Sequence, residues 1–328
     1  AVDRQVDRFL EGTESNPTST DDQRTRFLNP ANNGRLDHWR VAVEAWQEEP
    51  LRGTGAGTFQ LQWYQRRETD LNVSDAHSLY LDVLSDLGLV GLALLALGLL
   101  TIAGAVVRRT ARRWDPGADR SLHAGLAAAM VAWGVHAGLD WMWELPAVTV
   151  WLFALGGFAV AGRVGQGGRA FPGRNVRVVV ALGLLILAVV PLQMARSQRA
   201  LEDGLRAFAA TPRDCPEVID HSLRSLASVG SRPEPWELIA YCDVGEGELG
   251  LAVQAARNAV ARDPENWVYR YALALVQGVA GQDPRPAAGR ALELNPRGLL
   301  ANEAVRAFGR ARRSRWPAVA RRLKLPSG

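Results

Sequence analysis

Polar and apolar positions come in blocks along this chain. The first 33 residues are polar, and "EGTESNPTSTDD" and "NPANNG" read as loop. From Gly34 the pattern changes. Leu36, Trp39, Val43 and Trp46 recur at helical spacing and Pro50 ends the segment, so "GRLDHWRVAVEAWQEEP" predicts a helix, with the preceding asparagines as N-caps. A glycine-rich turn, "LRGTGAGTF", comes next, followed by the charged "QLQWYQRRETDLNVS", in which no period stands out. A second helix is expected to start near Ser74, capped by Ser74 or Asp75. It would carry His77 and continue into the apolar "LGLVGLALLALGLL".

Four apolar runs then follow. Leu87–Val107 holds no charge, Leu122–Leu139 carries only histidines, and Leu145–Gly162 and Val178–Ala195 are uncharged. Each is near the ~20 residues that a helix needs to cross ~30 Å of hydrocarbon. They predict four membrane-spanning helices, at about 87–107, 122–139, 145–162 and 177–195. Whole-chain averages hide this, because a charged fraction of 22% alone would suit a soluble protein.

The net charge of +4 would suggest nucleic acid if the arginines shared one face. They follow the apolar runs instead, as "RRTARRW" after the first and as Arg163, Arg169, Arg174 and Arg177 between the third and fourth. The positive-inside rule puts both loops in the cytoplasm. Residues 1–86, the "DWMWELP" turn and the C-terminal third are then expected outside, and nucleic acid is set aside as a partner. The chain opens at Ala1 with no methionine or signal peptide, so either the orientation is inverted or, as the preferred reading, an N-terminal part is expected to be missing. Cys215 and Cys242 both fall in the predicted external third, where a disulfide and a pair of free buried thiols are both open readings.

Residues 197–328 read as soluble helices. Ala259–Val260 before Asp263–Pro264 matches Ala291–Leu292 before Asn295–Pro296 at an offset of 32 residues. Small residues at helix crossings, followed by an Asp/Asn-Pro start to the next helix, resemble tetratricopeptide repeats. Pro233–Glu248 reads as a further, degenerate helix and turn. A plain stack of helices without a ligand is the alternative.

Few residues could do chemistry. Arg35 sits in the first turn of the helix after Gly34, where a cation opposes the helix dipole by ~0.3–1 kcal/mol. Free N–H groups beside a guanidinium make a phosphate seat, and Arg40 could reach the same large ligand. His77, mostly neutral at pH 7, suits a general base, with Asp75 near enough to orient it although i,i+2 positions do not share a helix face. His136 and Asp140, four apart near the outer end of the second run, are ionisable groups at membrane depth and hence supporting candidates. For each of these the plain alternative is a solvated or interfacial side chain. "WMW" is most simply an interfacial belt. No P-loop, complete dinucleotide fingerprint, H-E-x-x-H, C-x-x-C, D-x-D or G-x-S-x-G motif is present, so neither a metal nor a cofactor is expected.

The order of these residues resembles a known family. "GRLDHWRVAVEAWQEEPLRGTGAGTF", then about 18 residues, then "DAHSLYLDVLSDLGLVG" is similar to the large external loop of the bacterial O-antigen ligase and polymerase family. The resemblance rests on an Arg-and-Trp helix, a P-x-x-G-x-G-x-G-x-F turn, and a histidine leading into a "-L-x-E-x-G-L-x-G-" span. "HAGLDWMWELPAVT" resembles a later external turn of one branch, in which a C-terminal tetratricopeptide-like domain is common. Ser78 stands where the family usually has asparagine, and the spans and arginines that the family places before this loop are absent here.

The resemblance implies a metal-independent membrane glycosyltransferase that moves a glycan from undecaprenyl pyrophosphate to an acceptor hydroxyl, on a glycan or a lipid-linked acceptor. His77 would be the base, and Arg35 with Arg40 would bind the pyrophosphate. The expected fold is all-α: a polytopic transmembrane bundle with a large external helical loop and a C-terminal tetratricopeptide-like domain. Its parts would be a polar segment at 1–33, the catalytic loop at 34–86, four spans within 87–195, and the repeat domain at 197–328, which could bind an envelope protein. The expected location is the bacterial cytoplasmic membrane, with loop and repeat domain outside. A non-catalytic anchored adaptor, or a truncated remnant of such an enzyme, is the competing reading.

Overall fold

The computed structural model of the chain describes residues 34–111, 120–161, 174–210 and 214–326. The fold is all-helical among these residues, as the sequence predicts. The asparagines before Gly34 and the arginines at 112, 113, 163 and 169 lie outside the described residues. The chain divides into two compact units, Ala1–Gly167 and Gly168–Gly328.

In the first unit, helix α1 (Arg35–Glu48) and the short α2 (Phe59–Arg66) enclose a small core with the loop that follows. Val41, Ala42, Phe59, Trp63, Val73 and Ala76 form it. The inner face of α1 is not the one its large apolar residues suggest. His38, Val41, Ala42 and Ala45 are buried, whereas Leu36, Trp39, Val43 and Trp46 are half-buried. The small Ala42 and Ala45 let α1 approach its neighbours closely, and the bulk in this core comes from Phe59 and Trp63. Trp63 also ties down the loop: its Nε1 donates to the Leu71 carbonyl at 2.8 Å.

Helix α3 (Leu79–Ala111) contains the first predicted span but starts eight residues before it and is broken at Gly88 (φ 65°, ψ −165°). The glycine-rich turn fills the break. Thr54 and Gly55 N–H groups donate to the Ser85 and Asp86 carbonyls at 2.9 Å each. Leu89 and Val90 donate in return to the Pro50 and Leu51 carbonyls, at 2.9 and 3.1 Å. Backbone groups that the kink takes from the helix ladder are thus satisfied by the turn. The two backbones meet at Gly53 and Gly88, both at positive φ. A Cβ on Gly53 would lie 2.3 Å from the Asp86 carbonyl carbon, and one on Gly88 would lie 2.4 Å from that of Leu51. Asp86 completes the joint by accepting from the Gly57 N–H, just ahead of α2.

Helices α4 (Arg120–Ala137) and α5 (Pro146–Ala161) coincide with the second and third apolar runs and are joined by a 3-10 turn, Trp141–Glu144. Leu79, Trp133, Ala137 and Leu152 bury one another where α3, α4 and α5 meet. The Tyr80 hydroxyl donates to the Gly134 carbonyl at 2.8 Å.

The second unit starts with α6 (Arg174–Ala209), which holds the fourth apolar run and continues past it without a break. The boundary expected near residue 196 is therefore inside a helix, and the part of it that packs on the C-terminal helices begins at Ser197. The end of α6 lies on α7 (Cys215–Ser228), followed by α8 (Glu234–Glu246), α9 (Leu249–Arg262), α10 (Trp267–Val279), α11 (Arg285–Leu294), α12 (Leu299–Arg310) and a short α13 (Trp316–Ala320). The predicted degenerate helix at Pro233–Glu248 is α8. Second helices of successive pairs begin at Glu234, Trp267 and Leu299, and the last two keep the 32-residue offset. The crossings are packed by small residues: Ala252, Ala255, Ala256 and Ala259 on α9, and Ala287, Ala288 and Ala291 on α11, are all buried. Asn266 caps α10 by accepting from the Val268 N–H. Cys215 and Cys242 form a disulfide, resolving the open reading of the thiols.

Among the described residues two helices are long and apolar enough to cross a membrane, at Leu79–Arg108 and Ala181–Ala209. Ala124–Ala137 and Pro146–Gly157 are shorter apolar helices. Residues 181–190 are exposed throughout.

Candidate active site

The site lies where the start of α1, the loop before α3 and the 3-10 turn approach one another in the first unit. Its centre is His77. The sequence suggests a helical His77, but α3 begins only at Leu79, and His77 occupies a loop at φ 54°. Among the described residues it is the one non-glycine residue at positive φ. Histidine tolerates this region better than most residues, yet the conformation costs ~1–2 kcal/mol and persists only where surroundings impose it. Asp75 supplies much of that constraint, and it does so without capping a helix. Its Oδ1 accepts from the His77 backbone N–H at 2.9 Å and lies 2.7 Å from the ring Nδ1. The Ser74 hydroxyl donates to Oδ2 at 2.9 Å. On the other side of the loop, the Ala76 N–H donates to Asp82 Oδ1 at 2.7 Å, which anchors the loop to the first turn of α3. Loop geometry removes the objection that i,i+2 residues do not meet.

A carboxylate accepts only, so Nδ1 is the donor in this contact. The neutral ring then presents its lone pair at Nε2. The hydrogen bond to Asp75 raises the His77 pKa, against the opposing effects of burial and of Arg35. Burial alone would raise Asp75, but the hydrogen bonds from His77 and Ser74 win and hold its carboxyl at about 2. The result is an ionised carboxylate bound to an imidazole that takes up a proton above its usual range.

Arg35 stands in the first turn of α1 behind Gly34, which holds the N-cap position in a left-handed conformation. Its Nη2 donates to Asp140 Oδ2 at 2.9 Å, and both side chains are roughly a quarter exposed, 27% and 28%. Asp140 therefore pairs with Arg35, across 105 residues of sequence, and not with His136. Its Oδ1 accepts from the Trp141 N–H at 2.8 Å and so starts the 3-10 turn. At the far end of that turn, burial and then the charge of Asp75 raise the Glu144 pKa, with His77 opposing. The structure does not bring His136 into this group. Its ring is exposed and lines an apolar cavity with Trp133, Met142, Trp143 and Trp151. Arg40 is engaged elsewhere, with Glu44 at 3.1 Å, Glu68 at 3.3 Å and Asp37 at 3.9 Å.

Sequence reasoning missed His38, which sits one helical turn after Arg35. Its ring is 4% exposed, edge-on to Trp63 with centroids 4.9 Å apart, and 5.0 Å from the His77 ring. Burial, then the proximity of His77, lowers its pKa to about 4. The signal was its i+3 relation to Arg35, masked by the larger apolar residues on either side. No group of His, Cys, Asp and Glu that could hold a metal ion occurs among the described residues.

Compared with known proteins, residues 6–96 match the family described as Wzy_C, O-antigen ligase. The resemblance read from the Arg–glycine-turn–His order is thereby borne out over the segment that contains Arg35, Asp75 and His77. No curated protein matches the chain.

Proposed function

We propose, from the premise that residues 6–96 are an O-antigen ligase domain, that this protein takes part in glycosyl transfer during surface polysaccharide assembly. The donor would be a glycan on undecaprenyl pyrophosphate and the acceptor a hydroxyl of a glycan or lipid-linked sugar. His77 Nε2 takes the proton of the acceptor hydroxyl as its oxygen forms the new bond to the anomeric carbon. The bond from that carbon to the pyrophosphate oxygen breaks, and the pyrophosphate leaves with the electron pair. Arg35 and the N-terminal N–H groups of α1 meet the departing charge. Asp75 fixes the ring and stabilises the imidazolium, the division of labour found in carboxylate–histidine pairs. Arg40, committed to three carboxylates, contributes less.

One observation carries this reading: the 2.7 Å contact between Asp75 and His77 Nδ1, in a strained loop, which leaves Nε2 for chemistry beside Arg35. The four apolar helices would be spans, with the loop and the helix pairs of the second unit on the outer face. The Cys215–Cys242 disulfide supports that side, since such bonds persist in oxidising compartments. The test is H77A in the membrane-inserted protein. Glycan transfer should fall at least 10²-fold with insertion unchanged, the scale of a lost general base; retained transfer would sink the assignment.

The stacked helix pairs favour a second reading, an anchored adaptor whose repeat-like unit binds an envelope protein. Deleting residues 214–328 separates the two. Transfer that survives loss of partner binding supports the enzyme, and loss of every phenotype with H77A silent supports the adaptor.

A further inference from the structure

Beside the candidate base, the mechanism above leaves a buried titratable side chain without a task. His38 is 4% exposed, and its Nδ1 is buried with no hydrogen-bond partner. Arg35 Nε, one turn earlier on the same face of α1, is also buried and unpartnered, although Nη2 of the same guanidinium binds Asp140. Buried nitrogens left unpaired are uncommon and costly, and two together beside a candidate base call for an oxygen that the described residues do not supply. The other ring nitrogen lies at the start of α1: a Cβ on Gly34 would lie 3.5 Å from His38 Nε2. Helix N-termini favour anions, and here the N-terminus coincides with a cation and an unpartnered ring nitrogen.

We propose that His38 is a substrate-binding residue that hydrogen-bonds an oxygen of the diphosphate leaving group, which it shares with Arg35. The inference rests on the diphosphate chemistry proposed above. His38 differs from Arg35 in what it brings. Held neutral by burial and by the nearby His77, it offers a directed hydrogen bond without adding charge. His77 is then the imidazole that changes protonation state during transfer, with no second cation pressed against it at 5.0 Å. Trp63 packs edge-on against the other side of the ring and fixes where it points.

Inorganic pyrophosphate is the probe. Its binding to the full-length, detergent-extracted protein is measured by calorimetry for wild type, H38F, H38Q and H77A, alongside glycan transfer and thermal melting. H38F keeps a ring against Trp63 and loses both nitrogens, so it should remain folded and bind pyrophosphate about tenfold more weakly. H38Q restores an amide donor and should recover binding to within about threefold of wild type. H77A should bind pyrophosphate as wild type does and fail to transfer. Unchanged binding in H38F overturns the role of His38 and leaves the transferase reading standing, as does a wild type that transfers glycan without binding pyrophosphate. If H38F and H38Q both melt far below wild type, the ring is structural and the inference fails. Transfer by H77A would overturn the transferase reading itself.

Discussion

At the scale of single residues, the contact between Asp75 and His77 makes a prediction about pH. Because Asp75 raises the His77 pKa, the neutral base is lost as pH falls through a value above the ordinary 6.5. Transfer should therefore show an acid limb above pH 6.5, and D75N should move that limb to lower pH while reducing the maximum rate. An acid limb that stays put in D75N would show that His77 does not titrate against Asp75. Stability follows the opposite sense for the two partners. The raised His77 stabilises the fold fully below 6.5 and less as pH rises through its folded value, whereas the depressed Asp75 stabilises above 3.8 and is lost as pH falls through about 2. His77 and Asp75 were legible in the sequence because their order survives any change of local conformation. His38 was not, since the largest apolar side chains of α1 were read as its inner face. The core there accepts Ala42 because Phe59 and Trp63 already fill it.

At the scale of elements, the decisive feature is the joint between the glycine turn and broken helix α3. Either part alone reads as a generic loop or an apolar span. Their mutual hydrogen bonds, between Thr54–Gly55 and Ser85–Asp86 and between Leu89–Val90 and Pro50–Leu51, follow from no local pattern, which is why the kink escaped the sequence. Substitution tests it by contrast. G53A and G88A each force a Cβ into backbone at under 2.5 Å as well as a disfavoured φ, and should cost ~3 kcal/mol or more. G57A meets nothing within 4 Å, so only its positive φ opposes it, at ~1–2 kcal/mol. Thermal melts should rank G57A well above the other two; equal losses would mean that the close approach at Gly53 and Gly88 does not hold the joint. The α1–α2 core and the loop carrying His77 hang from this joint, so transfer should fall with stability in G53A and G88A.

At the scale of the whole molecule, the succession of helices in the C-terminal third was legible because small residues and Asp/Asn-Pro helix starts recur there. The start of the second unit was not, because an apolar run and a soluble helix merge in α6 with no polar break to mark the change. The disulfide constrains that unit independently. Closing a loop between residues 27 apart should stabilise it by about 3.5 kcal/mol, mainly by restricting the unfolded chain. Alkylation of the denatured, unreduced protein should leave both cysteines unlabelled. Labelling of both would argue against an oxidising compartment for this unit. The 36 residues of α6 have one more consequence. At 1.5 Å per residue they form a rod of ~54 Å, of which a bilayer's hydrocarbon can take ~30 Å. What remains is a mast and not a tether. With the apolar run in a bilayer, the helices packed on the end of α6 would be held at a set height above the lipid instead of sampling a hemisphere of positions. Lengthening the rod by a full turn would raise that height by ~5.4 Å without adding slack.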